Sequence, residues 1–141
     1  MSARAWLGFV VVFVVMSVLE AVIHVGLLSA DYQATANLWR PMGEIKMYIF
    51  YIVYFIVSFF FTLIFSKYYE GGGPMEGLRY GLSVGLMMAT PAAHISYAVI
   101  PIPYSLALKW FVFGTLEYAV LGIVLALILG RAGPKEKKKM L

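Results

Sequence analysis

Residues 6–28 read WLGFVVVFVVMSVLEAVIHVGLL. A stretch this long and this apolar has the length of a bilayer span, for which about 20 residues suffice. Glu20 and His24 sit inside it, one helical turn apart. An ionisable side chain at bilayer depth costs roughly 3 kcal/mol on insertion scales, so it faces a protein interior and marks a functional site by default. The stretch therefore makes two statements: the chain enters a membrane, and it carries chemistry there.

The rest of the sequence agrees with the first statement. Of 141 residues, 62% are hydrophobic and 13% charged, against about 25% charged in soluble domains. Residues 47–65, 80–100 and 110–130 are three more spans of sufficient length. The expected fold is all-α: a polytopic four-transmembrane-helix bundle running up-down-up-down over residues 1–130, with a basic cytoplasmic tail at 131–141. The apolar run at 6–28 is longer than a signal-peptide core and is interrupted by Glu20, so it reads as a retained span. No cysteine is present, which excludes disulfides, thiolate metal sites and a cysteine nucleophile.

The connections differ in character. Residues 29–46 are polar, with Leu38-Trp39 suited to a short interfacial helix, because Trp favours the headgroup level. Gly71-Gly72-Gly73-Pro74 predicts a flexible turn. Pro101-Ile102-Pro103 is so short that the last two spans must be antiparallel neighbours. Basic residues set the orientation. Arg4, Lys67, Arg79, Arg131, Lys135, Lys137, Lys138 and Lys139 fall on one side, whereas Arg40 and Lys46 fall on the other, with Lys109 near its edge. Both termini are expected in the cytoplasm. The net charge of +4 thus speaks of topology and of lipid, and no nucleic-acid partner is implied.

Packing is predicted from small residues. Gly77, Gly81 and Gly85 repeat at spacing four in the third span, and Gly122, Ala126 and Gly130 do so in the fourth. Such rows let backbones approach closely in lipid, either between these two helices or against another protomer. The second span is aromatic, with Phe50, Phe55, Phe59, Phe60, Phe61 and Phe65 expected towards lipid. Tyr51, Tyr54, Ser58 and Thr62 form a mildly polar stripe along the same helix, expected to bond between helices or to its own backbone. Pro91 removes one helical hydrogen bond and predicts a kink near Met87.

The third and fourth spans carry His94 and Glu117. At a rise of 1.5 Å per residue, Glu20, His94 and Glu117 lie about 4–6 Å outward of their span midpoints, and His24 about 10 Å. The expectation is one polar layer in the outer half of the bilayer. Glu20, His24, His94 and Glu117 match the ligand set of a divalent metal. His24 and His94 alone match the axial ligands of a b-type haem. The same groups can pass protons. The structural alternative pairs Glu20 with His24 and Glu117 with His94 across the proline turn, fixing helix register and nothing more. There is no zincin motif or phosphate loop, and Glu20–His24 is not the Glu-x-x-His spacing of di-iron bundles. No catalytic residue is assigned.

EAVIHVGLL (20–28), EGLRYGLSVGLMM (76–88) and IPIPYSLALKW (100–110) together resemble a group of small bacterial four-helix inner-membrane proteins. The resemblance implies a four-span layout and a multi-pass place in the bacterial inner membrane, and it brings no activity, substrate or cofactor. Two functional classes follow. One is a small membrane protein with an intramembrane Glu/His site for metal, haem or protons. The other is an accessory or assembly subunit, a homo-oligomer or part of a larger membrane complex, whose polar cluster is purely structural.

Overall fold

The computed structural model describes residues 1–130, so the basic tail expected at 131–141 lies outside the described residues. Those residues form helices and turns, with no strand among them. α1 (Ala3–Ala21) passes directly into a π-helical turn (Val22–Leu27). After it come a short α2 (Ser29–Ala34), two 3₁₀ turns, α3 (Met47–Tyr68), α4 (Pro74–Val99) and α5 (Tyr104–Leu129). Four of these segments, with α1 counted together with its π turn, are long and apolar enough to cross a membrane.

The helices outrun the apolar windows read from sequence. α4 begins at Pro74, not near residue 80, because a proline with no N–H to satisfy suits the first helical position. Arg79 and Lys109 interrupt the hydropathy but not the helix, so α5 likewise starts at Tyr104, straight after Pro103. α4 also continues unbroken through Pro91. The Gly71–Pro74 turn is organised. Gly71 and Gly73 adopt positive φ, and the Glu76 carboxylate accepts from the Glu70 and Gly72 N–H groups at 2.7 and 2.6 Å.

Small residues decide the tightest contact. Gly77, Gly81, Gly85, Ala89 and Ala93 are all buried. A Cβ built on Gly77 would strike the Gly122 carbonyl, and one on Gly81 the Tyr118 carbonyl. Gly85 faces Thr115, and Gly114 faces Ala89. Numbers rise along α4 as they fall along α5, so this pair is antiparallel. Gly130 departs from the expected row. It caps α5 with φ 75° and lies near Arg4, whose Nη1 donates to the Leu129 carbonyl at 3.2 Å.

α1 packs on both α3 and α5. Val12, Met16, Phe61, Phe65, Leu121, Leu125 and Ala126 make one buried cluster. Two phenylalanines expected towards lipid are therefore inside: Phe61 and Phe65 are each 3% exposed, because they pack at a tilt against Tyr80, at 4.7 and 4.9 Å between centroids. Phe50, Phe55 and Phe60 do face outwards. Phe9 meets Phe55 and Phe59 edge to face.

Gly81→Leu is expected to destabilise the protein by about 3 kcal/mol, since backbone on α5 cannot move aside. Gly26→Ala meets nothing within 4 Å and should be neutral or stabilising by about 0.5 kcal/mol. Denaturation in mixed detergent micelles distinguishes the two. Equal effects would refute the packing account.

Candidate functional site

The buried stripe of α1 runs Ala5, Gly8, Phe9, Val12, Met16, and helical spacing continues it to Glu20. The stripe of α5 that meets it includes Glu117, Leu121 and Leu125. Both acids thus occupy core-facing positions at the same end of the Val12–Leu125 cluster, side by side. Glu117 is only 5% exposed, and its Oε1 has no hydrogen-bond partner.

From Glu20 the polar line continues outwards. His24 Nε2 lies 3.3 Å from Glu20 Oε2, and Tyr54 Oη of α3 donates to the same oxygen at 3.2 Å. The other imidazole nitrogen, Nδ1, is 2.5 Å from Tyr32 Oη. Trp110 Nε1 donates to Tyr32 Oη at 2.8 Å, leaving the phenol proton free to point at His24. The partners thus suit one tautomer of neutral His24, with Nε2 donating to Glu20 and Nδ1 accepting from Tyr32. The series Glu20, His24, Tyr32 joins the acid beside Glu117 to the connection between α1 and α3.

The π turn helps to set this line. Its i+5 bond, from Leu28 N to Ile23 O at 2.9 Å, widens the helix where His24 sits. Single π turns inside α-helices occur often at functional sites. Beyond it, α2 brings Tyr32 back over His24, with the rings stacked at 5.9 Å. Trp39 and Trp110 close on Tyr32 at 5.5 and 6.4 Å. Trp39 Nε1 donates to Thr35 Oγ1 at 2.9 Å. Lys109 pairs with Asp31 at 2.7 Å. Burial pushes the Tyr32 phenol up to about 12, against a smaller opposite effect of the Trp110 bond.

His94 does not join this group. Its Nδ1 faces the Thr90 carbonyl on its own helix at 3.1 Å, and its ring packs on Tyr104 and Phe111. Ala89 and Ala93 take the buried positions facing α5, and His94, the next residue, is turned about 100° away. Glu117 meets Glu20, and no ion pair joins it to His94 among the described residues. Of the four residues read from sequence, three come together. Tyr32, Tyr54 and Trp110 complete the network.

Among the described residues, no group of three or more His, Asp or Glu side chains is placed to hold one metal ion. Both ring nitrogens of His24 are already engaged. No protein-family model, curated protein or solved structure matches the chain.

Tyr32→Phe removes two hydrogen bonds and is expected to cost about 1–2 kcal/mol near neutrality. The folded protein favours the neutral phenol. That contribution is complete below about pH 10, where an unfolded tyrosine begins to ionise, and disappears as pH rises through about 12. The difference between wild type and Tyr32→Phe should therefore stay constant up to about pH 10 and change only above it. A difference that fades between neutrality and that point would contradict the assignment.

Proposed function

We propose that this chain is a small integral membrane protein whose outer half holds a one-ended proton relay, running from Tyr32 through His24 and Glu20 to Glu117. The observation that carries the proposal is the pair of contacts running from Glu20 through His24 to Tyr32 in the connecting segment, with the buried Glu117 beside Glu20. On the other side of Glu117 the core is mainly apolar, with Val12, Met16, Leu121 and Leu125, and carries no further acid or imidazole among the described residues. The site therefore takes up and releases protons from one face rather than conducting them through. Metal or haem binding at Glu20, His24, His94 and Glu117 has less support, since His94 stands apart.

The surrounding architecture in this proposal is an up-down-up-down bundle with both termini in the cytoplasm. Opposed residue order supports it. Phe9 meets Phe55 and Phe59 while Glu20 meets Tyr54, and Arg4 reaches Leu129 while Gly8 approaches Leu125, an order that favours α1 running against both α3 and α5. The distribution of Lys and Arg supports the orientation, and it puts Tyr32 on the outer face. Resemblance of residues 20–28, 76–88 and 100–110 to small bacterial proteins supports the inner membrane as the location.

A second reading, an accessory subunit or homo-oligomer, is favoured by one observation. α4 turns Ser83 and Thr90 outwards, and polar residues within a span usually face protein rather than lipid.

Infrared difference spectra of the protein in liposomes, recorded after a pH jump outside, test the relay. A carboxyl signal should respond, vanish in Glu117→Gln, and respond more slowly in His24→Ala. A signal unchanged by either substitution would remove the proposal and leave a scaffold.

A further inference from the structure

A six-residue helix lies over the His24 end of the line. α2 (Ser29–Ala34) buries none of its side chains, and its length is well below the roughly 12 residues at which an isolated helix becomes even marginal in water. Its flanks are different. Leu28, just before it, is fully buried in a cluster with Ile102 and Leu106. Thr35, just after it, is buried too, and its hydroxyl donates to the Asp31 carbonyl and accepts from Trp39 Nε1. The segment is therefore pinned at both ends, and neither its own helix nor burial holds its middle.

Polar contacts from two consecutive residues of α5 hold the middle down. Lys109 Nζ donates to both carboxylate oxygens of Asp31, at 2.7 and 2.9 Å. Trp110 Nε1 donates to the hydroxyl of the next residue, Tyr32, at 2.8 Å. That same hydroxyl covers His24 Nδ1. The two grips differ in kind. The Trp110 bond is neutral and sits among the rings of Tyr32 and Trp39. The ion pair is open to solvent, with the Lys109 and Asp31 side chains 46% and 19% exposed. Such a pair is weak and is screened by salt, so it can bias a short segment without locking it. Among the described residues, no other ion pair joins α2 to the rest of the protein.

We infer that Lys109 and Asp31 are positioning residues for the relay: their ion pair seats α2 on α5, keeps the Tyr32 hydroxyl on His24 Nδ1, and so shields that nitrogen from water. When the pair opens, α2 lifts between Leu28 and Thr35, and water replaces the phenol at His24. Both residues act through Tyr32. Their role in proton exchange rests on the relay reading, whereas the seating of α2 is read from its own contacts.

Modification by diethyl pyrocarbonate tests this, because the reagent needs a lone pair on a ring nitrogen, and in neutral His24 that lone pair is the one Tyr32 covers. The full chain in liposomes is treated and digested, and its two histidines are followed separately by mass spectrometry. Lys109→Gln should speed modification of His24 about fivefold, the scale of one partly exposed ion pair, and leave His94 unchanged. Lys109→Arg keeps the charge and should keep the slow rate. Added salt should speed His24 in the wild type and do little in Lys109→Gln. A His24 rate unmoved by Lys109→Gln would overturn the inference, as would a Lys109→Arg rate equal to that of Lys109→Gln. Equal acceleration at His94 would also overturn it, since the substitution would then have loosened the whole bundle. If these rates behave as stated while the infrared carboxyl signal is absent, the relay fails and the seating of α2 stands. The reverse result removes the seating alone.

Discussion

Hydrocarbon offers a carboxyl group no water, so an acid inside a membrane must find its partners within the protein or lose its charge. Glu20 and Glu117 find each other, and the packing around them follows from that need. α1 turns its buried stripe towards α5, where the acids meet, and α3 contributes Tyr54 from the other side. His24 then satisfies the outward oxygen of Glu20, and Tyr32 satisfies His24. Each member is bound by the needs of the one before it. The line ends where α2 and the indoles of Trp39 and Trp110 surround Tyr32.

The two halves of the molecule are held by different forces. α4 and α5 are joined by absence of bulk: glycine and alanine let the two backbones approach until carbonyls face glycine Cα atoms. In lipid, where apolar surface gains nothing from being hidden, such close packing is a main source of helix association. α1 and α3 instead interlock through aromatic edges, and the Ser58 hydroxyl reaches the Met16 sulfur at 3.6 Å. The first pair is rigid by shape. The second leaves room for polar side chains, among them Glu20 and Tyr54.

Much of this is legible in the sequence. Long apolar runs give four membrane-length helices because hydropathy measures burial in lipid directly. Glycines at spacing four give the α4–α5 contact because only a missing side chain permits it. Depth, however, fixes a residue along a helix axis and says nothing about its angle around it. His94 has a depth similar to Glu20 and Glu117 and yet turns to another face. The row Gly77, Gly81, Gly85, Ala89, Ala93 already held that angle, since it places His94 one residue beyond the packed face. The π turn left no signal, and Tyr32 lies in a connection whose fold depends on tertiary contacts with Trp110. Tyr54 was visible as part of a polar stripe, but its partner on another helix was not.

The central claim is that His24, and not His94, touches an intramembrane carboxyl group. The chain has only two histidines, so solid-state NMR on bilayers can separate them after ¹⁵N labelling of imidazoles and ¹³C labelling of glutamate carboxyls. The account predicts strong dipolar coupling between one imidazole and a carboxyl carbon, matching the 3.3 Å contact and lost in Glu20→Gln, with the His94 ring uncoupled. Coupling at His94, or at neither ring, would contradict it.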